Sequence, residues 1–172
     1  MEVITRPLES DIPSYYLNYT KLAEGNDLMK SLEESKRLTL DLLKNIPESR
    51  EDYIYETGKW SIKQVVSHII DSERVFAYRA LRFSRKDPTL LPGFDENDYA
   101  VNCNASGRNL SDIGDEYSAV RDSTILLYRY MTSDMLDFVG VANEVSITAR
   151  AIGWIIAGHN VHHCNVIKDK YL

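Results

Sequence analysis

Apolar side chains recur every three or four residues over four long stretches of the chain, which is the spacing of helices with one buried face. Alternation of apolar and polar residues, the signature of half-buried strands, is weak throughout. The four predicted helices run from Asn26 or Asp27 to about Asn45, from Ser61 to about Arg85, from Ser111 or Asp112 to about Thr132, and from Ser146 or Ile147 almost to Leu172. The pattern predicts an all-α protein in which four helices pack as a bundle.

The residues at the ends of these stretches and between them predict three further features. Ser61 and Gln64 have the spacing of a capping box, which fixes the start of the second helix. A short helix over 14–23 ends at Gly25, so residues 1–25 form an N-terminal helical extension. The connection 86–110 between the second and third helices is rich in Pro, Gly and Asn. A connection this long either borders a functional site or crosses the end of the bundle.

Length and composition limit the classes of protein that fit this pattern. A chain of 172 residues predicts one domain, 1–172, large enough to fold without a disulfide or structural metal. The formal net charge of −6 disfavours binding to nucleic acid or to an anionic membrane. Two cysteines are too few for a disulfide framework, and no signal peptide or membrane-length apolar run is visible. We therefore expect a cytoplasmic protein.

Three of the four histidines crowd into one turn of the last predicted helix. His159 and His163 are four residues apart, and both point within about 20° of Ile152, at the centre of the apolar face. His162 lies near the edge of that face. Two imidazoles on an apolar face have a desolvation cost that must be offset. Either each is hydrogen-bonded in the core, or the pair shares a metal ion, for which this spacing is suitable.

The remaining histidine, His68, lies at the margin of the apolar face of the second helix. A side chain there points into the seam between two bundle helices, so His68, His159 and His163 could supply three nitrogen ligands and leave one position open. The alternative is a partly exposed His68 with no such role. Asp71, one turn further on, is a candidate for orienting a ligand or acting as a base. No Glu follows the first histidine, which excludes a zincin-type protease motif.

Four segments taken together identify a family. Residues 59–74 (KWSIKQVVSHIIDSER), 76–79 (FAYR), 91–95 (LPGFD) and 156–163 (IAGHNVHH) resemble the DinB-like (YfiT-like) superfamily in order and spacing. The resemblance implies an up-down-down-up four-helix bundle with a divalent metal on three histidines, which match His68, His159 and His163. Asn160 departs from the family, where Glu is common, but it is not a ligand position.

The resemblance implies fold and metal more firmly than reaction. Some relatives are thiol-dependent transferases or isomerases that use low-molecular-weight thiols. We therefore expect a divalent-metal-dependent enzyme acting on a small molecule, with thiol S-transferase-like or hydrolase-like activity. Three imidazoles accept Zn or Ni first, with Mn or Co also suitable. The alternative is a non-enzymatic, stress-related module that binds a metal or a small ligand, and a purely structural bundle is a third reading.

The last helix also has a second apolar face. Trp154, Ala157 and Val161 lie opposite the histidines, between Arg150 and Lys168. A helix that is apolar nearly all round is covered on both faces. Either the N-terminal segment with its tyrosines or a second subunit covers this face, and because dimers are frequent in the family the sequence favours a homodimer.

Overall fold

The computed structural model describes residues 3–172, which form a helical bundle with one small hairpin. The elements in chain order are α1 (Leu17–Leu22), α2 (Leu28–Lys44), α3 (Ile62–Ser84), α4 (Glu96–Asn102), α5 (Leu110–Tyr128), α6 (Ser133–Leu136), β1 (Val139–Ala142), β2 (Val145–Thr148) and α7 (Ala149–Lys170). The bundle consists of α2, α3, α5 and α7, which correspond to the four predicted helices. No helix within residues 3–172 is long and apolar enough to cross a membrane.

Side-chain contacts fix the directions of the four long helices. Along α2 and α7, Leu28 lies against Gly153 and Thr39 against Cys164, so these two helices run parallel. Helices α3 and α5 also run parallel. Near the start of α3, Lys63 donates to the Arg108 carbonyl just before α5. Further along both helices, Arg74 pairs with Glu116 and Glu73 pairs with Arg121.

The other two helix pairs run in opposite directions. Leu43 of α2 lies near Gly114 at the start of α5, and Lys36 pairs with Asp122 near its end. On α3 and α7, His68 meets His159 and His163, while Phe76, further along α3, meets only the earlier His159. The predicted up-down-down-up bundle is confirmed.

Helix starts agree with the sequence signals except in the second half of the chain. Asp27 caps α2, and Ser61 with Gln64 forms the predicted capping box of α3. The third bundle helix begins slightly earlier than predicted, with Asn109 as its cap. The predicted start of the last helix at Ser146 or Ile147 is wrong: both residues belong to β2, and Thr148 caps α7.

The hairpin that precedes α7 was not predicted. Strands β1 and β2 pair antiparallel from Val139 opposite Thr148 to Ala142 opposite Val145, and Asn143 and Glu144 turn between them with positive φ angles of 50° and 66°. The first part of the 86–110 connection is bound to this turn, because Leu91 exchanges backbone hydrogen bonds with Val141 and Asn143. The later part folds into α4.

The second face of α7 is covered by the N-terminal segment of the same chain. Trp154 is 0% exposed, and its indole N–H donates to the Thr5 carbonyl at 3.1 Å. The Arg6 guanidinium lies 4.2 Å from the centre of the Trp154 ring. Gly158 lies so close to the Tyr19 carbonyl that a Cβ there would be 1.7 Å from the oxygen. The preference for a second subunit on this face is therefore wrong, because the face is buried within one chain.

Candidate metal centre

His68, His159 and His163 converge on one point between α3 and α7. Nε2 of His159 lies 3.1 Å from Nε2 of His68 and 3.0 Å from Nε2 of His163, and the three ligand nitrogens lie within 4.8 Å of one another. Zinc bound by tetrahedral imidazoles at 2.0–2.1 Å separates its nitrogens by about 3.3–3.4 Å. The two Nε2–Nε2 distances from His159 are therefore within a few tenths of an ångström of the nitrogen–nitrogen separation around a bound zinc ion.

Burial keeps these imidazoles neutral, which is the form that binds a metal. Desolvation lowers the pKa of His68 to about 4, and the charge of His162 adds to the effect. Desolvation likewise lowers the pKa of His163 to about 2, with the charges of His68 and His162 adding to it. Desolvation also lowers the pKa of His159 well below its ordinary value, with the neighbouring histidines adding to the effect. The cluster is nevertheless close to the surface, since His68 and His159 are 8% and 7% exposed and His163 is half-buried.

Aromatic rings enclose the cluster. The ring of Trp60 lies 4.8 Å from that of His68. The rings of Tyr19 and Phe76 approach His159 edge-on at 5.2 and 6.2 Å. Three different parts of the chain supply these rings: the segment before α3, the N-terminal helix α1, and α3 itself. They exclude bulk water from most of the site, which strengthens electrostatic interactions inside it.

The second nitrogen of His68 has a partner that sequence analysis missed. Its Nδ1 lies 3.4 Å from the Ser72 hydroxyl, one turn further along α3. Asp71, predicted to orient a ligand or act as a base, lies instead in a groove between α3 and α5, 3.8 Å from Arg74. Residues three and four positions further along a helix both lie near the same face, and here the Ser72 side chain is the one that reaches the imidazole. Asp71 lies outside the histidine cluster, and its role in orienting a ligand or acting as a base stays a prediction.

The other candidate ligands lie off the convergence point. His162 is half-buried, and its ring contacts Tyr19 at 5.2 Å. Cys164 is buried on another side of α7, where its sulfur lies 3.2 Å from the Thr39 hydroxyl. Cys103 donates to the carbonyl of Ala100 within the α3–α5 connection. These positions agree with the prediction that His162 lies at the edge and that Cys164 points away.

A buried polar network holds α7 in place beside the cluster. Asn160, which follows His159, is 0% exposed; its Oδ1 accepts from the Tyr117 hydroxyl at 2.5 Å and from Arg121 at 2.9 Å. Arg121 also makes a bidentate ion pair with Glu73 at 2.8 and 2.9 Å. This network cannot be predicted from the sequence, because its members come from helices that are far apart in the chain and no local pattern shows that they meet.

Comparisons with known proteins agree with this architecture. A family model described as the DinB superfamily matches residues 31–167, most of the chain. The chain belongs to the DinB superfamily. Among solved structures it is similar to YfiT from Bacillus subtilis, described as "a probable metal-dependent hydrolase with an unusual four-helix bundle topology". The TM-score is 0.76 at 20% identity, and the match covers 95% of this chain and 90% of that one. No curated protein matches the chain significantly.

Membership confirms the fold that the sequence segments implied. The matched region begins within α2 and ends near the end of α7, so it includes all three histidines of the cluster. The segment before residue 31, which covers Trp154 and contributes Tyr19, lies outside the matched region. At 20% identity the likeness to YfiT concerns the fold, and the chemistry of this chain has to be argued from its own residues.

Proposed function

We propose that this DinB superfamily protein binds one divalent metal ion through His68, His159 and His163 and uses it in a reaction on a small molecule. The observation that carries the proposal is that Nε2 of His159 is near hydrogen-bond distance from two other imidazole nitrogens. One ring nitrogen has either one proton or one lone pair in its plane, so a hydrogen bond satisfies one of the two contacts. A shared ion satisfies both.

The donor set fits a divalent ion with an open position. Three neutral imidazoles leave its charge uncompensated, and such an ion supplies Lewis-acid chemistry: it lowers the pKa of a water or thiol beside it. The Ser72 hydroxyl, 3.4 Å from Nδ1 of His68, can accept a hydrogen bond from Nδ1–H in the tautomer whose Nε2 is free to bind a metal. Trp60, Tyr19 and Phe76 keep the surroundings dry. Zinc and nickel are the ions we expect first, and manganese or cobalt also suit imidazole ligands.

We infer that the activity is hydrolysis or thiol transfer on a small electrophile. The description of YfiT as a probable metal-dependent hydrolase supports the first. Three histidine ligands leave a position on a tetrahedral ion that either water or a low-molecular-weight thiol could occupy. A non-enzymatic binding module is the competing function. The two differ in whether the metal-loaded protein turns over a substrate.

The metal is tested by elemental analysis of protein purified without a histidine tag. Wild type should hold close to one ion per chain, and His68→Ala, His159→Ala or His163→Ala should each lose most of it while remaining helical. His162→Ala is the matched control, because it removes an imidazole from the same turn without touching the convergence point. A full complement of metal in His159→Ala contradicts the site.

Activity is tested with the metal-loaded protein on an activated ester and on chlorodinitrobenzene with a panel of thiols. Turnover that disappears in His159→Ala and persists in His162→Ala supports an enzyme. Metal binding without turnover of any of these substrates favours the binding module.

A further inference from the structure

A cavity lies between the N-terminal segment and the hairpin, beside α3. Its volume is about 240 Å³, and it opens beside α3 at the point where the 86–110 connection meets the hairpin turn. The side chains that give it chemical character are Tyr15, Tyr16, Arg79, Phe94, Glu96 and Asn143. Aromatic rings form much of the wall, and one of its lining residues is a buried cation.

Arg79 is the feature that gives this cavity a preference for a ligand. It is 5% exposed, yet no carboxylate within residues 3–172 lies within 4.0 Å of its guanidinium. Arg121, the other deeply buried arginine, is by contrast fully paired with Glu73. Burial lowers the pKa of Arg79 from its ordinary value, which is the direction expected for a desolvated cation that lacks an anionic partner.

The contacts of Arg79 leave donors unused. Nη2 donates to the Pro92 carbonyl at 2.8 Å, and the Tyr16 hydroxyl also interacts with the guanidinium. A guanidinium has five N–H donors in a fixed planar fork, which matches the two oxygens of a carboxylate. An arginine held in place by a backbone carbonyl, with free donors in an aromatic cavity, is preorganised for such a group.

The cavity is connected to the histidines through aromatic contacts. The ring of Tyr16 lies 5.9 Å from that of Phe76, which in turn lies 6.2 Å from that of His159. Glu96 is exposed on the cavity wall. Burial is the main cause that raises the pKa of Tyr16, and the charge of Glu96 adds a little to it. A carboxylate at that position disfavours a ligand with a second negative charge.

We propose that this cavity binds the carboxylate of a small monocarboxylic acid with an apolar or aromatic body, with Arg79 as the anion-binding residue and the Tyr16 hydroxyl beside it. One part of this proposal rests on the proposed function, namely that the acid is a substrate whose other end reaches the histidines. Binding of the carboxylate is independent of the proposed function, because Arg79 and Tyr16 are separate from the metal ligands.

The experiment is calorimetric titration of the full chain with benzoate, with benzamide as the neutral analogue and phthalate as the dianion. It is carried out on metal-free and on metal-loaded protein. Benzoate should bind both forms and at least tenfold more tightly than benzamide or phthalate. Arg79→Gln should weaken benzoate binding at least tenfold. Arg79→Lys and Tyr16→Phe should each weaken it about threefold or more, because an ammonium lacks the planar fork and a phenyl ring lacks the neighbouring hydroxyl.

Arg82→Gln is the matched control, since Arg82 is on the same helix but pairs with Asp87 and Tyr78, and it should bind benzoate as wild type does. If Arg79→Gln fails to fold, Arg79→Lys and Tyr16→Phe decide the matter. Absence of benzoate binding by wild type, equal affinity for benzamide, or unchanged affinity in the Arg79 variants overturns the proposal. So does benzoate binding that requires metal and disappears in His159→Ala. Failure of the proposed function would show as missing metal or missing turnover. Failure of the carboxylate site would show in the titration of metal-free protein, which depends on neither.

Discussion

The ion pair between Arg121 and Glu73 is the most deeply buried charge in the bundle, and replacing Arg121 by Met should be strongly destabilising. Both side chains are essentially inaccessible, at 0% and 2% exposure. Besides its two bonds to Glu73, the guanidinium donates to the Leu32 carbonyl at 2.9 Å and to the Ser35 hydroxyl at 2.6 Å. Removing it leaves a buried carboxylate unpaired, which costs about 3–5 kcal/mol of unfolding free energy.

The measurement is urea unfolding followed by circular dichroism, with a matched surface pair as control. Arg74→Met breaks an ion pair of 2.6 Å between the same two helices, but Arg74 is half exposed, so the loss should be below about 1 kcal/mol. Glu73→Leu combined with Arg121→Met should recover about 2 kcal/mol or more relative to Arg121→Met alone, because neither charge of this pair then remains buried.

An Arg121→Met variant that loses no more stability than Arg74→Met would refute this reasoning. So would a double variant that is no more stable than Arg121→Met. If Arg121→Met is too unstable to purify folded, the same comparison is made in a stabilising osmolyte, which raises the stability of all variants together.

Three further predictions concern the site and the segment that covers it. Ser72→Ala should lower metal affinity about tenfold, measured by chelator competition, with little change in unfolding free energy, because the hydroxyl orients His68 without carrying the fold. Gly158→Ala should release the segment bearing Tyr19 and increase its cleavage in limited proteolysis, whereas unchanged cleavage would show that the close approach is tolerated. Light scattering should show a homodimer whose interface lies on a surface other than the buried Trp154 face, and a wild type that scatters as a 19.7 kDa monomer at micromolar concentration contradicts the dimer.

The long helices and the histidine cluster were predictable because both follow from helical periodicity. A capping box and a stripe of apolar residues locate α3, and the four-residue spacing of His159 and His163 places them on one face. The hairpin was not predictable in the same way. Its strands have four residues each, and the turn at Asn143 and Glu144 lacks the glycine that usually marks left-handed turns.

Buried charge is the other feature that the sequence did not indicate. Charged residues on a helix are ordinarily solvent-exposed, and Glu73 and Arg121 are 48 positions apart, so nothing local shows that they face each other. The partner of His68 was missed for a different reason. Asp71 has the more familiar ligand-orienting side chain, but Ser72 has the spacing that reaches the imidazole.

The contact between Gly158 and the Tyr19 carbonyl also constrains the order of events during synthesis on the ribosome. The N-terminal segment is made first, but the surface on which it packs belongs to α7, the last helix. Domains made from the N-terminus cannot form such a contact until the C-terminal residues have emerged. Tyr19 therefore closes over His159 only once α7 has emerged, and until then the N-terminal segment has no surface on which to pack.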